Sequence, residues 1–158
     1  GLTRAAGVAQ LLVVLAAVLI IQPVLATVMG RSPRLTTATV AVIAGLLWML
    51  ALCAGDAISA AVGAYPRTIT LILLPGFLGA GLLQLITGVL HHLLPILTGA
   101  RPNTAERTGY ARLLLINLGG VLTLLGATAA GLIMMGIGLA ANVIAVGRAN
   151  YLKKRLES

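Results

Sequence analysis

The chain is built of long apolar runs joined by short polar links, and the length of those runs is what most limits its fold. A helix needs roughly 20 apolar residues to cross about 30 Å of hydrocarbon. Four segments meet that length: residues 5–29, 38–63, 68–95 and 112–147. The links between them carry the breakers and the charge: "GRSPRLT", "AYPRT" and "GARPNTAERTGYAR". The expected architecture is an all-α integral membrane protein, a four-transmembrane-helix bundle, with residues 1–158 as one transmembrane domain. The last segment is over-long for one crossing, so it should tilt or project.

Composition agrees. Hydrophobic residues make up 59% of the chain and charged residues 9%, whereas soluble domains carry about a quarter charged. That leaves no separate soluble catalytic domain within these residues. The net charge of +8 is spread over the ends of apolar runs, where it meets lipid headgroups rather than nucleic acid. The partners expected are the lipid bilayer and either further copies of the chain or a larger membrane assembly. The beginning at Gly1 and the ending in "RLES" read as a fragment of a longer chain.

Orientation follows from Lys and Arg near the ends of the spans. Four crossings place the N-terminus, the second link and the C-terminus on one side, with Arg4, Arg67, Arg148, Lys153, Lys154 and Arg155. The other side holds Arg31, Arg34, Arg101, Arg107 and Arg112. Six against five is nearly a tie. The dense "KKR" points to both termini cytoplasmic, in a multi-pass protein of the cell membrane.

Polar residues inside the spans are costly and mark function by default. His91 and His92 are the only histidines. Neighbours on a helix point about 100° apart, so one partner would engage one of them. Gln84, Gly88, the histidines and Pro95 form a polar or small stripe, and Asn117 is expected at a similar depth on the last helix. A haem or quinone contact at Gln84, His91, His92 and Asn117, or a metal at His91 and His92, is one reading. Interfacial histidines bonded to water and headgroups are the other.

Asp56 is the one acidic residue within a span. It should face the bundle as a proton or cation site, or bond to neighbours, with Asn142 and Gln10 expected at its level. The helix rise puts it roughly 20–25 Å from the histidines along the membrane normal, so two polar levels are expected. Ala51, Gly55, Ser59 and Gly63 repeat every four residues, and Gly126 and Gly131 belong to a glycine-rich last helix. Both sets read as helix-packing ridges. No CxxC, Walker A, GxSxG or HExxH pattern is present, and no complete catalytic constellation appears.

The stretch "GFLGAGLLQLITGVLHHLLPILTGARP" followed by "ARLLLINLGGVLTLLG" resembles the membrane segments attached to actinobacterial multicopper oxidases and copper nitrite reductases. Those segments are themselves similar to the haem–copper oxidase main subunit. The likeness covers about residues 74–126, and Leu73, Leu74 and Pro75 stand where related haem-binding helices carry a histidine. It implies a membrane domain that anchors a copper or respiratory electron-transport enzyme, an oxidoreductase, and lends it a haem or quinone contact. Two alternatives remain beside it: a small oligomeric transporter or channel subunit using Asp56, and a purely structural membrane subunit.

Overall fold

The computed structural model describes residues 2–31, 36–64, 66–98 and 107–156. The chain is an all-α membrane protein, and among the described residues no strand occurs. Helix α1 spans Leu2–Arg31 and α2 spans Thr37–Val62. One long rod follows: α3 (Pro66–Gly76), a π-helical segment (Phe77–Leu83) and α4 (Gln84–Thr98). Then come α5 (Arg107–Leu124) and α6 (Thr128–Leu156). Four of these stretches are long and apolar enough to cross a membrane, in α1, in α2, through the rod and in α6. The 18 residues of α5 reach about 27 Å at the α-helical rise.

Local chemistry explains the boundaries. Thr36 caps α2 by accepting the Thr39 backbone N–H at 3.2 Å, which satisfies one of the orphan donors at the helix start. At the other end Gly63 turns left-handed at φ +79°. There Ala64 N–H reaches the Ser59 carbonyl and Gly63 N–H the Ala60 carbonyl, a pairing that closes helix C-termini around a glycine. In the rod, Pro75 lacks the N–H that would bond back one turn. Just beyond it the ladder widens to the i→i+5 pattern across Phe77–Leu83.

The helix expected over 112–147 is in fact two. Gly126 adopts φ +88°, and its N–H bonds the Thr123 carbonyl while Ala127 N–H bonds that of Leu122. This is the same glycine closure as at Gly63. Chain direction reverses there, and α6 returns along α5. Gly126 is therefore a turn residue with open space around it, not the packing residue expected.

Consecutive helices alternate in direction. Gly7 on α1 meets Ala57 and Ala61 on α2, and Gly88 on α4 meets Ala41 and Val42 of α2. Gly120 on α5 meets Ala80 of the rod. On α6, Gly131 meets Gly119, and Gly138 meets Ile116. The start of α1 and the end of α6 thus lie at opposite ends of the bundle. The expected shared side of the membrane counts four crossings and leaves out α5.

Close backbone approach, not bulk, seals the interfaces. In lipid, helices gain little by burying apolar surface from one another, so small residues that admit tight contact matter most. A Cβ placed on Gly131 would stand 2.5 Å from the Gly119 carbonyl oxygen and 2.8 Å from the Thr123 nitrogen. Ala80, Ile116 and Met135 form the buried core beside this seam, with Trp48 and Leu139 against it. The expected ridge on α2 is only partly used. Ala51 is exposed, Gly63 is the cap, and a Cβ on Gly55 would touch only Leu73 at 3.9 Å. The close contacts of α2 run instead through Gly45, against Gly81 and Leu85, and through Ala57 against Gly7.

Gly131→Leu is expected to force α5 and α6 apart and lower stability by about 1–3 kcal/mol. Gly136→Leu, where a Cβ meets nothing within 4 Å, should leave stability unchanged. Unfolding of both variants in mixed micelles checks the contrast.

Candidate functional site

Two polar centres occupy opposite ends of the bundle, as the expected two levels require, but their membership differs from that expected. The first is built on Asp56. It points from α2, about six residues before the helix end, toward α1 and α3. Gln10 Nε2 donates to its Oδ2 at 3.3 Å, and Thr70 Oγ1 donates to its Oδ1 at 2.6 Å. Asp56 is half-buried and lines a half-open cleft of about 210 Å³ with Gln10, Cys53, Thr70, Leu52, Leu73, Leu74 and Phe77. Among the described residues no Lys or Arg is paired with it. The described residues contain no cluster of three metal-ligating side chains.

Gln10 was expected at this level, and the antiparallel pairing of α1 with α2 delivers it. Asn142 was expected here too, and it is elsewhere. Because the chain turns back at Gly126, Asn142 lies at the opposite end, where its Oδ1 accepts from Arg112 Nε at 2.8 Å. Thr70 was missed. It lies across the short link from Asp56, and matching depths over that link would have found it.

The second centre is this Arg112–Asn142 pair. Both are buried, and Arg112 Nη1 also donates to Thr108. A guanidinium within a bundle needs such acceptors to offset its desolvation. The sequence treats Arg112 as a loop charge, yet α5 begins five residues earlier and carries it into the bundle. His91 lines a cavity beside the pair, with Thr37, Thr87 and Gly109. Its volume of about 10 Å³ holds roughly one water molecule. His92 is exposed on the other side of α4.

The four residues grouped for a cofactor are dispersed. His91 faces the Arg112 cavity, and His92 faces outward. Asn117 lies deeper than the histidines, because α5 starts early. It accepts the Trp48 indole N–H at 2.6 Å and donates to the Leu113 carbonyl at 2.7 Å. Gln84 is fully buried, and neither atom of its amide has a partner among the described residues.

Comparison with known proteins adds no relative: no family model, curated protein or solved structure matches the chain.

The two buried amides should answer mutation in opposite ways. Gln84→Leu removes polar atoms that make no bond, so stability should hold or rise by about 1–3 kcal/mol. Asn142→Leu strips an acceptor from a buried cation and should cost about 1.5–3 kcal/mol. Equilibrium unfolding in detergent distinguishes the two signs.

Proposed function

We propose that this chain is a small membrane transport subunit whose working centre is a proton or cation site at Asp56. The observation that carries the reading is the Asp56 cleft. A carboxylate inside a membrane-crossing helix is costly unless something repays its desolvation. Here two neutral donors orient it at the edge of an open space, and a cation entering that space would complete the charge balance. A proton would do the same.

Orientation belongs to the proposal. With α5 counted as a crossing, one end of the bundle holds Arg4 and Arg67. Among the described residues the other holds Arg31, Arg107, Arg112, Arg148, Lys153, Lys154 and Arg155. Two against seven replaces the near tie, and the excess of Lys and Arg favours the cytoplasm for the second end. The C-terminus is then cytoplasmic, the N-terminus is on the outer side, and the Asp56 cleft lies toward the outer leaflet of the cell membrane.

In the background of Cys53→Ser, a cysteine replacing Thr3 should react with an impermeant thiol reagent on intact cells. One replacing Asn150 should react only after the membrane is opened. The reverse pattern would invert the assignment.

Proteoliposomes carrying the protein and an internal pH indicator test the site itself. Under an imposed membrane potential, or with a cation gradient, wild type should change internal pH or cation content. Asp56→Asn should reduce that rate at least about tenfold, on the scale of losing one charge partner in a desolvated site. Equal rates in wild type and Asp56→Asn would remove Asp56 from any transport role.

A further inference from the structure

The lining of the Asp56 cleft says which class of cation fits. Hard inorganic cations take about six or more oxygen ligands in a closed shell. The side chains of the cleft offer at most four: two from Asp56 and one each from the Gln10 amide and the Thr70 hydroxyl, whose Nε2 and O–H donate to that carboxylate. The rest of the wall is carbon and sulfur, from Leu52, Leu73, Leu74, Phe77 and Cys53. Such a wall strips water from a small ion and gives nothing back. It suits a ligand with one positive charge and an apolar body.

Size and position narrow the class further. A volume of about 210 Å³ lies below the roughly 300–1,000 Å³ of pockets for drug-sized ligands, so the body is small. Phe77 is the only phenylalanine in the chain. It opens the π-helical segment and lines the cleft on the rod, where an aromatic face can attract an ammonium group. Asp56 lies six residues inside the end of α2, about 9 Å along the axis. A headgroup tethered to its acyl chains is held at its own layer, whereas a free amphipathic cation can move the further distance into the cleft.

We infer that the Asp56 cleft binds a small monovalent organic ammonium ion, its charge on the Asp56 carboxylate and its apolar body against Leu52, Leu73, Leu74 and Phe77. This inference rests on the reading of Asp56 as a cation site and names the kind of cation.

The experiment is titration of the purified protein with benzyltrimethylammonium by calorimetry, beside the rate at which a thiol reagent modifies Cys53. That thiol lines the same cleft and is native, so wild-type protein reports occupancy without any substitution. Saturable binding that slows Cys53 modification is expected. Affinity should fall at least about tenfold in Asp56→Asn and about two- to fivefold in Phe77→Leu, which keeps the apolar wall but removes the ring. Asp56→Glu should retain binding and controls for folding. Sodium and magnesium should not protect Cys53.

Protection by sodium or magnesium but not by benzyltrimethylammonium would overturn the organic class and leave the cation site standing. Protection only by phosphatidylethanolamine bicelles would assign the ammonium to a headgroup and overturn the free ligand. Binding unaffected by Asp56→Asn, or no binding of any cation, would overturn both this inference and the cation-site reading.

Discussion

The contact between α5 and α6 at Gly119 and Gly131 fixes more of this molecule than any other. Two backbones meet there at a distance no side chain would allow, and the glycine turn at Gly126 makes the meeting antiparallel. From that reversal follow the pairing of Arg112 with Asn142 and the end of the bundle at which α6 finishes. Lipid makes such a contact decisive. Helices surrounded by hydrocarbon are not driven together by apolar surface, so shape and the few polar groups select the arrangement.

Those polar groups sort themselves by charge. Arg112 is enclosed, with its described acceptors drawn from an amide and a hydroxyl in a space the size of one water molecule. Asp56 is held just as deliberately but left open on one side. Between them lie Trp48, Ala80, Ile116 and Met135, with the Trp48–Asn117 bond and the buried Gln84 among them. The enclosed centre has the character of a structural clasp. The open one has the character of a site.

Much of this was legible in the sequence. Run length alone gave the helical membrane class, since no other element satisfies its own backbone in lipid. Asp56 and Gln10 could be paired by counting from the link between their helices, because that link is short and the helices have no break. The same counting failed on α5 and α6. A run of apolar residues from 112 to 147 looks continuous, and one glycine among many does not announce a left-handed turn. "LGAT" at 125–128 was the available signal: a glycine followed by a residue that can start a new helix. Missing it moved Asn142 to the wrong end. Arg112 was hidden for a related reason, as the start of α5 decides whether it belongs to a loop or to the interior.

The π-helical segment from Phe77 to Leu83 has a geometric result of its own. Each i→i+5 turn takes in one residue more than an α-turn, so the stripe of residues facing a given neighbour slips around the axis as the rod passes through it. Below the slip, Thr70, Leu73 and Phe77 look toward α1 and α2. Above it, Gly88 and His91 look into the space shared by α2, α5 and α6. On an uninterrupted α-helix these positions would form a single stripe and compete for one partner. Extra residues in the ladder, rather than a change of side-chain types, let one rod serve two unlike interfaces.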